Sequence, residues 1–264
     1  TSMREIALLQ QLGAHPNVIS LKEVLVGAKK DSVFLSFEYC ETDLANLVDK
    51  LQSQGYFNLA EIKCIALQLI NAVAFLHHNH IIHRDLKLSN LLLTKEGVLK
   101  LADFGLARSI PYPLQPLTAK VVTLWYRSPE ILLKCPYYSK PCDAWAVGCI
   151  LAELLNNGFP ILPGKNEVDQ FRLICDLIGR PTERVWPGFK GAGALEELSN
   201  NYQNKIAERF AGFSENCIDL LKGLLQWDPK QRLTINEAIM HPFFSESPYP
   251  VLPIEIRQLK LLIN

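Results

Sequence analysis

The stretch His83–Asn90, H-R-D-L-K-L-S-N, determines how the rest of this 264-residue chain is interpreted. It places Asp85, Lys87 and Asn90 within six residues, directly after a segment with helical periodicity. The triplet D-F-G begins eighteen positions after Asp85, and S-P-E begins twenty-five positions after the aspartate of D-F-G. An isolated H-R-D carries little weight, but three motifs in this order and at loop-sized intervals indicate one common site.

The polar side chains of these motifs suit phosphoryl transfer, which depends on positioning and charge neutralisation more than on covalent chemistry. Asp85 can accept a hydrogen bond from an attacking hydroxyl, and Lys87 can place a cation beside the transferred group. Asn90 and Asp103 offer the hard oxygen ligands that Mg²⁺ prefers. The alternative for each residue taken singly is a solvated loop charge that forms a cap or a turn. His83 is interpreted as a structural support of the loop rather than as a proton shuttle.

Composition limits the class of protein. Lys plus Arg and Asp plus Glu each number 27, so the formal net charge is zero, and 48% of the residues are hydrophobic. This balance indicates neither a nucleic-acid nor a membrane partner. We predict no transmembrane helix and no signal peptide. Seven cysteines without C-x-x-C spacing are interpreted as reduced thiols of an intracellular protein, in the nucleus, the cytoplasm or both.

Periodicity in the first part of the chain predicts a small β region. A helix is expected over residues 1–13, followed by a hairpin built from Val18–Val26 and Ser32–Tyr39. Asn58 and Glu61 form a capping-box pattern at the start of a long helix.

The rest of the chain is predicted to be mainly helical. The long helix ends near His80, and short strands are expected at 91–93 and 98–101. The remaining predicted elements are loops at 109–120 and 188–193 and helices at 143–155, 165–180, 214–226 and 234–240.

The ordered motifs resemble the signature set of the eukaryotic protein kinases. The resemblance covers essentially the whole chain and implies an α+β, two-lobed protein-kinase fold with a truncated small β lobe and a complete, mainly helical large lobe. It divides the chain into a residual small lobe (1–39), a hinge (40–43) and a large lobe (44–264). It implies ATP and Mg²⁺ as cofactors, with Asn90 and Asp103 as the metal ligands. The catalytic residues it implies are Asp85, Lys87, Asn90, Asp103 and Thr123.

The resemblance also assigns a nucleotide site. Glu5 matches the helix glutamate that pairs with a strand lysine in this family, whereas Phe37 and Leu92 have the alternative interpretation of plain core residues. That lysine and the glycine-rich loop G-x-G-x-x-G have no match, since both would precede residue 1. The residues implied around the cofactor are Glu5, Phe37, Glu38, Tyr39, Cys40, Asp43 and Leu92.

Within the kinases, the chain resembles the cyclin-dependent family, in particular the kinase 10 type, with the kinase 11 type as the competing assignment. The segments concerned are S-M-R-E at 2–5, V-V-T-L-W-Y-R at 121–127 and W-A-V-G-C-I-L-A-E-L-L at 145–155. Leu88 and Ser128 depart from the proline and the alanine that are common at these positions. The implied partner is a cyclin, bound through the helix region of residues 1–13.

A phosphorylation switch at Thr118 is also implied by the resemblance. Arg4, Arg84 and Arg108 match the arginines that gather around a phosphothreonine in this family. A phosphate of charge about −2 can form several charge-assisted hydrogen bonds and so order a loop. The alternative is that each arginine pairs with a nearby carboxylate.

The implied substrate is a Ser or Thr followed by Pro. Val121, Val122 and Arg127 match a site for the residue after the target, where proline fits because it lacks the N–H that would go unpaired. Glu130 and Arg232 are expected to form a buried ion pair. The implied function is a cyclin-dependent, proline-directed Ser/Thr kinase in cell-cycle or transcription control. The alternative is a truncated, catalytically silent kinase-like module that binds cyclin or substrate.

Overall fold

The computed structural model describes residues 6, 8–10, 12, 14–27, 33–51, 55–110, 123–135, 137–187 and 202–256. These residues combine short strands with a larger set of helices, as the predicted α+β class requires. The predicted loop at 188–193 and most of the loop at 109–120 lie outside the described residues.

Within the described part of the chain, seven strands form three small antiparallel sheets. Because β4 pairs with β7 and β5 pairs with β6, the segments 83–90 and 102–107, which lie between these strands, emerge side by side. The strands are β1 (Leu21–Val26) with β2 (Val33–Phe37), β3 (Thr42–Asp43) with β5 (Leu91–Leu93) and β6 (Leu99–Leu101), and β4 (Ile81–Ile82) with β7 (Arg108–Ser109).

The helices agree with the predicted segments to within about two residues at most ends, and residues 6, 8–10 and 12 are helical as well. The short helices α1, α3 and α6 were not predicted as separate elements. The helices are α1 (Leu44–Leu51), α2 (Leu59–His78), α3 (Pro129–Leu132), α4 (Pro141–Leu155), α5 (Glu167–Ile178), α6 (Ile206–Arg209), α7 (Glu215–Leu224) and α8 (Ile235–Ile239).

The long helix α2 runs through the core. Asn58 Oδ1 accepts the N–H of Glu61 at 3.0 Å, and Glu61 Oε2 accepts the N–H of Asn58 at 2.9 Å, which confirms the predicted capping box. The helix is long and apolar enough to span a membrane by length and composition alone, but 67% of its most apolar window is buried inside the fold. The apolar positions predicted for its packing face are all buried: Ile62, Ile65, Leu69, Val73 and Leu76.

Helices α4 and α7 pack directly against one another in the same core. A Cβ added at Gly148 of α4 would lie 2.9 Å from Leu224 Cβ of α7, so the close approach of the two helices requires glycine there. The seven cysteines are all free thiols, and five of them are buried. The interpretation of the cysteines as reduced, mostly buried thiols agrees with this arrangement.

The segment before the first hairpin departs from the predicted strand Val18–Val26. The N–H of Ile19 donates to Leu101 O at 2.9 Å, and the N–H of Leu101 donates to Asn17 O at 2.9 Å. These residues therefore bond to β6, and β1 begins only at Leu21. Leu8 and other apolar residues of the N-terminal helical region belong to the same hydrophobic cluster as α2 and α4. The division into residues 1–39, 40–43 and 44–264 stays a prediction.

Candidate active site

Asp85 lies at the centre of the candidate site, where it is buried. It belongs to the segment His83–Asn90, which we call the catalytic loop, and it contacts Thr123. Its Oδ1 accepts the N–H and the hydroxyl of Thr123, both at 3.1 Å. Its Oδ2 accepts hydrogen bonds from Lys87 Nζ at 2.7 Å and from Asn90 Nδ2 at 3.3 Å. Four of the five predicted catalytic residues therefore meet at one carboxylate.

The charge state of Asp85 follows from these contacts. Burial alone would raise the pKa of Asp85, but the hydrogen bond and charge of Lys87 and the two hydrogen bonds from Thr123 lower that pKa below its ordinary value. The carboxylate is thus ionised at neutral pH. The Thr123 hydroxyl at Oδ1 demonstrates that a hydroxyl group can reach this oxygen and be oriented by it.

Asp143, at the start of α4, holds the backbone of the catalytic loop. Its Oδ2 accepts the N–H of His83 at 2.9 Å, and its Oδ1 accepts the N–H of Arg84 at 3.0 Å. Arg84 has a φ of 69°, a left-handed conformation that costs energy outside glycine, so these bonds maintain a strained turn. His77 Nε2 lies 2.9 Å from Asp143 Oδ2. Burial would raise the pKa of Asp143, but His77, His83 and the Arg84 N–H lower it, so the buried carboxylate stays ionised.

Asp143 and His77 were missed as site residues in the sequence analysis, which predicted them only as parts of helices. Asp143 carries a weak signal, since it is one of two charged residues in the otherwise apolar helix α4. A buried carboxylate needs a partner, and such a residue is a candidate for holding another element. His77 has no comparable signal, because histidine is common near the end of a helix.

His83 connects the catalytic loop to the D-F-G segment. Its Nδ1 accepts the N–H of Asp85 at 3.3 Å, and its Nε2 donates to Ala102 O at 3.0 Å. Burial lowers the pKa of His83, so the ring is neutral, with its proton on Nε2. The ring also packs edge-on against Phe104, with centroids 5.2 Å apart. These contacts support the interpretation of His83 as structural.

The two predicted metal ligands lie on neighbouring segments. The N–H of Ala102 donates to Asn90 O at 2.9 Å, which brings the start of the D-F-G segment against the catalytic loop. Asn90 Nδ2 also donates to Asp85 O at 2.8 Å, which leaves its Oδ1 as the atom available to a cation. Asp103 is exposed, has a φ of 62°, and accepts the N–H of Gly105 at 3.3 Å. One amide oxygen and one carboxylate fit Mg²⁺, which keeps several waters and takes few protein ligands.

A cavity of about 630 Å³ lies beside the hinge, and Phe37, Tyr39 and Leu92 are among its walls. Glu38, Cys40 and Asp43 line it as well, so every residue predicted around the cofactor lies here except Glu5, which is outside the described residues. Its volume is that of a typical small-molecule site.

Several side chains that line this cavity are already engaged in protein contacts. Glu38 Oε2 lies 3.0 Å from Lys100 Nζ, and its Oε1 accepts the N–H of Ser20 at 2.8 Å. Asp43 Oδ1 accepts the N–H of Asn46 at 2.9 Å, at the start of α1. Burial and the charge of Glu38 raise the pKa of Cys40 to about 11, so this thiol is protonated at neutral pH. A ligand of this cavity would meet backbone groups and apolar side chains more than free charges.

Only some of the arginines predicted to bind the phosphate of a phosphothreonine lie within the described residues. Arg84 Nε donates to Leu106 O at 2.9 Å and one of its terminal nitrogens donates to Tyr138 Oη at 2.8 Å, while the other is buried and has no hydrogen-bond partner among the described residues. Arg84 therefore has no ion pair with a described carboxylate, contrary to the alternative considered for it. Arg108 donates to Ala107 O at 2.7 Å. Arg4 and Thr118 lie outside the described residues.

The residues predicted to contact the substrate are also only partly described. Val121 and Val122 lie outside the described residues, and Arg127 is paired with Glu167 of α5 at 2.9 Å. Glu167 was not predicted as a partner.

The predicted ion pair between Glu130 and Arg232 is present, fully buried and bidentate, with N–O distances of 2.8 and 3.0 Å. Arg232 also donates to Pro141 O and Gln226 O, so it fastens the start of α3 to α4 and to the segment before α8.

Residues 1–244 match the family model described as the protein kinase domain. The chain therefore belongs to the protein kinase family. One relative, a probable cyclin-dependent kinase 10 of Dictyostelium discoideum, is 49% identical over 253 residues, which cover 95% of this chain and 68% of that protein. A cyclin-dependent kinase 11 of the same organism is 41% identical over 256 residues, covering 96% of this chain and 70% of that protein.

A solved structure of the CAK complex of Chaetomium thermophilum bound to ATP-gamma-S matches the fold. It has a TM-score of 0.86 and 37% sequence identity, and it covers 97% of this chain and 80% of that chain. Within the protein kinases, these relatives place the chain among the cyclin-dependent kinases. The greater identity to the kinase 10 relative than to the kinase 11 relative confirms the predicted order of resemblance.

Proposed function

We propose that this cyclin-dependent kinase transfers the γ-phosphate of ATP to Ser or Thr residues followed by Pro, in cell-cycle or transcription control. The observation that carries the proposal is the ionised Asp85 carboxylate, held by Lys87 and open to a hydroxyl at the position that Thr123 now takes. An acceptor fixed in this way can align a substrate hydroxyl and receive its proton as the new bond forms.

ATP is the proposed phosphoryl donor, bound in the cavity beside the hinge. The CAK structure, described as bound to ATP-gamma-S, supports this assignment. Mg²⁺, when bound by Asn90 and Asp103, would neutralise charge on the phosphates. Lys87 would add a cation on the acceptor side, so the residues of this chain keep the donor and the hydroxyl together.

Two regulatory features belong to the proposal: a cyclin partner bound through the region of residues 1–13, and activation by a phosphate on Thr118. Arg84 is buried, and one of its nitrogens has no hydrogen-bond partner in the part of the chain that the structure describes, which supports a site for an added phosphate. We also propose an intracellular location, in the nucleus, the cytoplasm or both, because the seven cysteines are free.

The test is a kinase assay on the protein purified from its own cells together with its bound partners, using an array of Ser and Thr peptides with and without a following Pro. Asp85→Asn should lower kcat by about 10²- to 10⁴-fold in a protein that is still folded at the assay temperature, because it removes the proton acceptor. Thr118→Ala should lower activity without unfolding the chain. The matched control Asp219→Asn changes an exposed aspartate away from Asp85 and should keep full activity.

The outcomes separate the parts of the proposal. An equal rate on peptides without Pro would contradict the substrate preference alone. No activity in the wild-type protein, with cyclin binding retained, would overturn the catalytic proposal and favour a silent binding module.

A further inference from the structure

A second cavity, of about 450 Å³, lies on the large lobe away from the hinge. Its walls come from the end of α2, the start of α4 and the segment Pro229–Asn236. A cavity of this size can hold a few side chains, since small-molecule sites span about 300–1,000 Å³. We call this cavity the basic groove.

The charges that line the basic groove are of one sign. Its described lining residues include His78, His80, Lys140 and Lys230 but no aspartate or glutamate. None of these four side chains forms an ion pair with another described residue. The whole chain has a formal net charge of zero, so this excess of basic residues is local.

The other basic side chains of the groove already have acidic partners. His77 lies against Asp143, and Arg232 is paired with Glu130. An acidic ligand would therefore be attracted by the lysines at the rim and would leave the two buried pairs in place.

Apolar surface completes the groove. Ala144 and Ile235 are buried beneath it, and Pro141 and Leu233 contribute to its walls. A phosphate ion or a nucleic-acid backbone gains nothing from such a surface. A peptide gains from both features, because an apolar side chain can enter the groove while acidic neighbours meet the rim.

We propose that the basic groove docks an acidic peptide segment of a partner protein, anchored by one apolar side chain. The proposal does not depend on phosphoryl transfer. It does place the docked segment behind the active site, because His77 reaches the catalytic loop through Asp143 and Arg232 holds the start of α3.

The experiment uses a fluorescein-labelled, glutamate-rich peptide with a single leucine, titrated with the purified protein in its bound complex. The double variant Lys140→Glu with Lys230→Glu should weaken binding by about tenfold or more. The matched control, Lys95→Glu with Lys205→Glu, changes exposed lysines outside the groove and should bind like the wild type. Melting temperatures of both double variants check that the fold is retained.

Two further probes test the chemistry. Replacing the leucine of the peptide by serine should weaken binding several-fold, and a glutamine-rich peptide should not bind. Equal binding by the groove variant and the wild type would overturn the proposal. It would also be overturned if inorganic phosphate or a short RNA bound the groove as tightly as the peptide, since the site would then be a general anion site.

Discussion

The described residues include two β-hairpins of similar local pattern but opposite burial. In the first, β1–β2, Val26 is 75% exposed and Phe34 is 62% exposed. In the second, β5–β6, Leu91 and Leu101 are fully buried, and the central positions Leu92 and Lys100 face each other across the pair. Apolar side chains thus alternate into the core in one hairpin and lie largely open in the other.

The difference shows that the residue pattern of a strand predicts its extended backbone but not how deeply its side chains are buried. β5 is covered because α1 packs against it, and β6 because α2 and the N-terminal segment do, with Asn17 and Ile19 bonding to Leu101. Among the described residues, nothing covers Val26 and Phe34 in the same way. We therefore expect the stability of the chain to reside in the large-lobe core, and substitutions there to have larger effects than in β1–β2.

The largest effect on stability is expected at the buried ion pair. Glu130→Gln leaves the Arg232 guanidinium buried without its counter-charge, which should lower the free energy of unfolding by about 3–5 kcal/mol in denaturant titrations. The control Asp176→Asn makes the same chemical change in an exposed pair with Arg172, where no comparable loss is expected. Similar losses in the two variants would contradict a special role of burial.

A matched pair of leucines tests the two hairpins directly. Leu101→Ala empties a fully buried position and should cost about 2–5 kcal/mol, because a cavity forms beneath α2. Leu25→Ala, at a position that is 51% exposed in β1, should stay within about 0.5 kcal/mol of the wild type. If Leu25→Ala cost as much as Leu101→Ala, β1–β2 would belong to the same cooperative core.

The features of this fold that could be predicted are specified by residues close together in the sequence. The start of α2 follows from Asn58 and Glu61, which are three residues apart, and the start of α8 follows from the capping box of Thr234 and Glu237. The residues of the catalytic loop were likewise predicted from one short stretch, and the structure brings Asp85, Lys87 and Asn90 together.

The features that were missed depend on single long-range contacts. Asp143 holds the backbone at His83 and Arg84 from about 60 positions away, and Ile19 bonds to Leu101 across the core. The two-residue strands β3, β4 and β7 carry no periodicity to detect. Such contacts depend on the packing of whole elements, so no short stretch of sequence specifies them.

The buried region also holds an ionisable group with a raised pKa. Burial raises the pKa of Glu153 to about 7, although the hydrogen bond from Tyr126 Oη at 2.7 Å acts in the other direction. Between pH 4.5, the ordinary value, and pH 7 the folded state keeps a proton that the unfolded chain has released. This group therefore makes the free energy of unfolding fall as pH rises, by on the order of 3 kcal/mol.

Glu153→Gln should remove this contribution, since the amide accepts the Tyr126 hydrogen bond without titrating. His83, with its lowered pKa, acts in the opposite direction below its ordinary value of 6.5, so the comparison must be made between the variant and the wild type. The measurement is urea unfolding of both proteins from pH 5 to pH 8. A constant difference across this range would mean that Glu153 is ionised throughout.

A smaller loss of stability than at Glu130 or Leu101 is expected at the start of α2, where stability comes from local hydrogen bonds. Asn58→Ala removes the acceptor for the Glu61 N–H and should cost about 0.5–2 kcal/mol, whereas Asn58→Asp keeps the acceptor and should cost little. Hydrogen exchange should localise the loss to the first turn of α2, because the buried face from Ile62 onward holds the rest of the helix. Faster exchange along all of α2 would show that the stability of the whole helix depends on the hydrogen bonds of its cap. In this region, the local capping interaction would then matter more than the packing of the buried face.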